Sequence, residues 1–232
     1  MSAMSDRPRA PITLMLPEGE VTIPPWVTDH PSFLRWLHSG EVPDEVRVSY
    51  VNGDVWIETM PERLIAHNRL KTLVAAALTP IIDGGRLGLY LGDGMTFTSE
   101  EAGFTTTPDG IFVSRRAERT GRVRPVGGER SNGDTSLVGS PDLTVEVVSG
   151  SSADKDTEWL MSGYWNAGVR EYWLVDGRED PVEFVIHRRG PRGYVATRKT
   201  DGWSRSRVLG REFRFVPSGT HFGRTDYRFE AR

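Results

Sequence analysis

Residues 142–176 constrain the fold more than any other stretch of the chain. DLTVEVVS (142–149) is an apolar run of buried-strand character, and EYWLVD (171–176) is a second one. Between them, Ser151 or Ser152 is placed to cap a helix that runs to about Ala167, with Gly168 as its stop. A strand, a helix and a strand joined by short connections imply a right-handed parallel crossover. The chain must therefore contain an open α/β sheet whose central strands are covered on both faces.

The first of these strands carries a charge where none belongs. Glu146 stands between Val145 and Val147. Strand alternation sets Thr144, Glu146 and Val148 on one face and Leu143, Val145 and Val147 on the other. A carboxylate in such a strand requires an ion pair, a hydrogen-bond network or a metal ion. Asp109 is a second acidic residue, following Pro108 at the head of the apolar run GIFVS. It reads either as a turn-closing residue or as a partner of Glu146. Two carboxylates on adjacent strands can share a hard cation, Mg2+ or Mn2+, because such ions take oxygen ligands and keep several waters. Bound there, the ion would activate water against a phosphate ester.

The remaining chain supplies elements around this unit. Residues 1–30, rich in proline, read as an irregular arm, followed by a short helix over residues 32–38. Val46–Ile57 alternates on both sides of Asn52-Gly53 and predicts a hairpin with a type I′ turn. Thr59-Met60-Pro61-Glu62 has the form of a capping box for a helix to about Thr79, with Ala66, Leu70, Leu73, Val74, Ala77 and Ile81 as its apolar stripe. Short strands are expected over 87–91, 95–98 and 109–113, an exposed loop over 115–134, and further strands over 182–187, 193–198, 203–208 and 227–230. An N-terminal arm with its helix (residues 1–44) and one α/β domain (45–232) are the expected organisation.

Composition excludes several chemistries. With no cysteine among 232 residues, disulfides, thiolate metal sites and a cysteine nucleophile are ruled out. There is no signal-peptide pattern and no apolar run long enough to span a bilayer, so a soluble cytoplasmic protein is expected. Net charge is −3, unevenly spread: residues 1–169 hold 15 Lys+Arg against 23 Asp+Glu, and residues 170–232 hold 14 against 9. A basic C-terminal part beside an acidic centre suits a nucleic-acid partner, but on charge alone a solvated β-rich surface is the favoured reading.

Pro108-Asp109 with the strand after it, the Glu146 strand, and SGSSADKD followed by YWNAGVREYWLVD together resemble the Uma family of restriction endonucleases, within the PD-(D/E)XK nuclease superfamily. The likeness covers roughly residues 45–230. It implies a restriction-endonuclease-like fold, a mixed central sheet flanked by helices with additional C-terminal strands. The implied activity is metal-dependent endonucleolytic hydrolysis, with DNA as the expected substrate and a homodimer as the expected state for cutting two strands. Carried over by position, Asp109 and Glu146 become metal ligands, with the carbonyl of Val147 as a third. The superfamily lysine, two residues after the glutamate, is replaced by Val148, and the family's alternative helical position by Leu160. Lys155, near the start of the same helix, is the nearest replacement and the expected catalytic amine, with Asp156 beside it. His67 matches a frequent family histidine. Ser49 stands where the family often has a glutamate, so Glu58 is its candidate substitute. The absent lysines leave an alternative open: an inactive nuclease fold that binds nucleic acid or protein.

Overall fold

The computed structural model describes residues 11–16, 19–43, 46–58, 64–92, 95–127, 134–148 and 158–232. In chain order the elements are β1 (Ile12–Leu16), β2 (Gly19–Ile23), α1 (His30–Leu37), β3 (Arg47–Val51), β4 (Asp54–Glu58), a π-helical turn (Leu64–Arg69) leading into α2 (Leu70–Gly84), β5 (Gly88–Gly92), β6 (Thr96–Ser99), β7 (Phe104–Thr106), β8 (Gly110–Ser114), α3 (Arg115–Arg119), β9 (Val123–Gly127), β10 (Asp134–Gly139), β11 (Leu143–Val148), α4 (Leu160–Asn166), β12 (Glu171–Asp176), β13 (Glu183–Gly190), β14 (Gly193–Ala196), β15 (Ser204–Arg205), β16 (Glu212–His221) and β17 (Arg224–Ala231).

The predicted crossover forms as expected. β11 and β12 pair in parallel from Leu143↔Glu171 to Val148↔Asp176 and lie at the centre of a six-stranded mixed sheet, β14-β13-β12-β11-β8-β5. Alternation along β11 decides which core each side chain enters. Leu143, Val145 and Val147 join Trp173, Val175 and the α2 stripe of Leu70, Val74, Leu78 and Ile82, beneath Phe213 and Phe229 of the C-terminal hairpin. The opposite face packs on Tyr164 of α4 and on Phe97 and Phe104 of a second six-stranded sheet, β4-β3-β7-β6-β10-β9. Glu146 belongs to this second face.

Several expectations change. The irregular arm contains a hairpin: β1 and β2 pair from Ile12↔Ile23 to Leu16↔Gly19, and buried Val21 shares a small core with Phe33, Trp36 and Val48. The helix after it starts earlier than expected, at His30, because Asp29 and Ser32 form a reciprocal capping box. α2 runs through Pro80 to Gly84. The proline leaves one carbonyl without its usual donor, but Leu78 and Ile82 stay fully buried and hold the last turns in place. The stretch expected as an exposed loop over 115–134 contains α3 and β9, with Ala117 and Val123 buried. β7, only three residues long, and β16, beyond the expected strand at 203–208, were not anticipated. The capping box at residues 59–62 and the cap at Ser151 or Ser152 lie outside the described residues.

Candidate active site

The antiparallel ladder between β8 and β11 pairs Leu143↔Phe112, Thr144↔Ile111 and Val145↔Gly110. Asp109 immediately precedes β8, and Glu146 is the next residue of β11 after the last pair, so both stand at the same end of adjacent strands. Both are buried, with 8% and 6% of their surface exposed. The two acidic residues singled out in the sequence thus stand together where the ladder ends.

Each is held by a specific donor. The backbone N–H of Val147 donates to Asp109 Oδ2 at 2.8 Å. The hydroxyl of Tyr164 donates to Glu146 Oε1 at 2.6 Å, and the Tyr164 ring is fixed against Phe97, Phe104 and Tyr172. A tyrosine that sequence patterning assigns to the core is therefore core and carboxylate support at once. In an extended strand the N–H and C=O of one residue leave on the same edge. The Val147 carbonyl accordingly faces the side from which Asp109 approaches.

The helix start overhangs this strand end. His67, in the π-helical turn, brings Nε2 to 3.5 Å from Asp109 Oδ2, and Lys71, one turn on, brings Nζ to 3.4 Å from Asp109 Oδ1. The Lys71 side chain is only 9% exposed. Local widening of a helix into a π turn is a recurrent feature of functional sites, and here it carries the histidine. His67 thus stands beside Asp109. Lys71 was not anticipated at all. The available signal was its spacing: four residues after His67, on the same helical face and next to the apolar stripe.

Tyr90 of β5 closes the site from the first core. Burial, and then the negative charge of Asp109, push its phenol well above the ordinary range. Its hydroxyl occupies the space a side chain would need at position 110: a Cβ there would sit 2.2 Å from Tyr90 Oη. Gly110 is therefore required by the close approach of Tyr90 behind Asp109.

The other expected residues are placed differently. Ser49, at the family's glutamate position, is buried and pairs its hydroxyl with that of Thr106 at 3.2 Å. Glu58 ends β4 opposite Arg47 in register, in the second sheet. Val148 and Leu160 are both buried, Leu160 within the second core. Lys155 and Asp156 lie outside the described residues.

A mixed sheet flanked by helices, with two acids meeting at the end of adjacent strands, is the restriction-endonuclease-like class of nuclease fold. The chain belongs to the Uma2 family, described as putative restriction endonuclease, whose family model matches residues 30–216. Its fold is similar to the crystal structure of a putative nuclease belonging to DUF820 from Anabaena variabilis ATCC 29413, with a TM-score of 0.53 and 16% identity over 78% of this chain and 90% of that one. No curated protein matches the chain. Family membership supports a nuclease. Among the described residues no helix is long and apolar enough to cross a membrane.

Proposed function

We propose that the protein is a metal-dependent endonuclease that hydrolyses phosphodiester bonds, DNA being the first substrate to test. One observation carries this reading: Asp109 and Glu146 stand buried at the same end of neighbouring strands, and the helix start brings a histidine and a lysine to Asp109. Among the described residues no group of three acidic or histidine side chains is arranged to enclose a metal. Two carboxylates with the Val147 carbonyl nevertheless suit Mg2+ or Mn2+, which retain waters in the remaining positions. When bound, such an ion lowers the pKa of a water and offsets charge on a phosphate.

The protein's own groups do the rest. The Val147 N–H orients Asp109, and Tyr164 orients Glu146. An ammonium beside Asp109 is placed to hold a water or a phosphate oxygen and to offset charge that grows during attack. Lys155 is the amine expected from the helix after β11. Lys71 is a second candidate, supported by its burial and its approach to Asp109. The Arg-rich C-terminal strands would grip the nucleic-acid backbone without reading bases.

The test is cleavage of supercoiled plasmid and single-stranded DNA with Mg2+ or Mn2+ by wild type, Glu146→Gln, Lys71→Met and Lys155→Met. Cutting that needs metal and is lost in Glu146→Gln is expected, and the lysine variant that loses it names the amine. Sedimentation in the same buffer tests the expected homodimer. A second reading is favoured by the substitution of both family lysine positions, Val148 and Leu160, and by the Lys71–Asp109 ion pair, which balances one acid without a cation. In that reading the fold binds nucleic acid without cutting it. Metal-independent binding, with no cleavage of any substrate, would select it.

A further inference from the structure

Among the described residues three two-residue turns have positive φ at both positions, Asn52-Gly53, Asp201-Gly202 and Phe222-Gly223, and the last differs from the others in one telling residue. Between β3 and β4 the turn is Asn52-Gly53, with φ of 53° and 90°. Between β16 and β17 it is Phe222-Gly223, with φ of 49° and 73°, closed by the His221↔Arg224 pair. Both are type I′, which needs positive φ at both positions and favours Asn-Gly. Asparagine tolerates the left-handed region, whereas a bulky aromatic residue there is a true outlier. Phe222 gains nothing from burial in return, since 86% of its surface is exposed, more than for any other exposed large apolar residue described. Neither the turn nor the core accounts for it.

The hairpin meets the helix start that carries His67 and Lys71: Asp226, three residues past the turn, accepts two hydrogen bonds of 3.0 Å from Arg69, which sits between them in sequence. Leu70 of α2, Arg178 and Arg224 line one cleft between the hairpin and the helix start, together with Glu179 and Asp180. Of the cleft's acids, Asp180 accepts from the hairpin hydroxyls of Thr225 and Tyr227; on the hairpin itself, Asp226 is held by Arg69 and approached by His221. At the tip itself, His221 and Arg224 flank the exposed ring.

We propose that Phe222 is a stacking residue for an unpaired or splayed base of the nucleic acid held at the Asp109–Glu146 site, with Arg224 and His221 touching the flanking phosphates. The proposal rests on the nucleic-acid reading of that site. One ring is the natural size of a base-stacking contact. A second protein copy is a poor match, because an aromatic side chain buries only about 150–250 Å², far below the roughly 1,000 Å² that a specific protein interface requires.

The experiment compares wild type, Phe222→Asn and Phe222→Trp for binding, in chelator, to a fluorescent single-stranded oligonucleotide containing 2-aminopurine and to the equivalent duplex. Phe222→Asn recreates the Asn-Gly turn, so its melting temperature should equal or exceed that of wild type. Its affinity for the single strand should fall roughly 5- to 100-fold, with loss of the 2-aminopurine quenching that Phe222→Trp retains. A well-folded Phe222→Asn that binds and quenches like wild type overturns the proposal. So does a wild type that binds no oligonucleotide, or one whose self-association, rather than nucleic-acid binding, depends on Phe222. The measurement needs no catalysis: binding through Phe222 without plasmid cleavage would sink the nuclease reading alone, and cleavage without Phe222-dependent binding would sink this one alone.

Discussion

Among the described residues four carboxylates are buried at the two ends of the central strands, and the ends are built differently. At the start of β11 and β12 stand Asp142 and Glu171, with 0% and 1% exposure. Asp142 accepts from the N–H of Ser114 at 2.9 Å and pairs with Arg122 at 2.5 Å and Arg170 at 3.2 Å. Burial works to raise its pKa, but the Ser114 hydrogen bonds and the Arg122 guanidinium outweigh it and hold the carboxyl below its usual range. Glu171 accepts from the N–H groups of Arg207 and Val208, from the Ser206 hydroxyl and from the Trp173 indole. Its donors tie the segment before β16 to the sheet. At the opposite end of β11 stand Asp109 and Glu146, and among the described residues Lys71 Nζ and His67 Nε2 come within 3.5 Å of Asp109. The first pair is fixed by backbone donors and permanently charged arginines. The second stands beside a histidine and a lysine, at the carboxyl end of a central parallel strand, where open α/β sheets bind ligands.

The largest effect that could break this comparison is catalytic. Glu146→Gln and Asp109→Asn should each lower metal-dependent cleavage by about 10³-fold while circular dichroism and melting stay near wild type. A collapse of the fold in both would make them structural, like the other pair. Asp142→Ala should do the reverse. Stranding Arg122 and the Ser114 N–H should cost about 2–4 kcal/mol, read as a lower urea midpoint, with activity per folded molecule unchanged. Smaller again, Lys71→Met should cut turnover by about 10²-fold, and an unchanged rate would return the amine to Lys155.

The smallest effect is on pH dependence. Burial lowers the pKa values of His30 and His187. The unfolded chain therefore takes up these protons first, and stability should decline as pH falls from about 6.5 toward the folded values. Asp142 adds a second decline: its contribution is full above about pH 4, its unfolded value, and is lost as pH falls through the lower folded value. Urea midpoints at successive pH values check both, and a flat profile from pH 7 to 5 would remove the histidine contribution.

The legible part of the site was the part written in strands. Glu146 interrupts an apolar run, and Asp109 heads another, so period-two patterning exposes both and the crossover puts them in one sheet. Lys71 was invisible to the same logic. Beside the stripe of Leu70, Val74 and Leu78 it reads as a solvated helix residue, and only the packing of the helix start over the end of β8 buries it against Asp109. Glu171 was read as the first residue of a strand, because its donors come from residues 206–208, more than thirty positions away. The hairpin β1–β2 escaped notice because, among its side chains of described burial, only Val21 is fully buried, too little for a clear alternation. Phe222-Gly223 lacked the Asn or Asp that announces a type I′ turn, the same departure that makes the residue informative once the turn is seen.

The central claim is that Asp109 and Glu146 together form a cation site, and titration of Mn2+ into the folded protein, followed by the electron paramagnetic resonance of the free ion, tests it most directly. Wild type should remove Mn2+ from solution with saturable stoichiometry, and Glu146→Gln and Asp109→Asn, equally well folded, should not. Wild type that leaves the Mn2+ signal untouched, or variants that bind it as wild type does, would contradict the account.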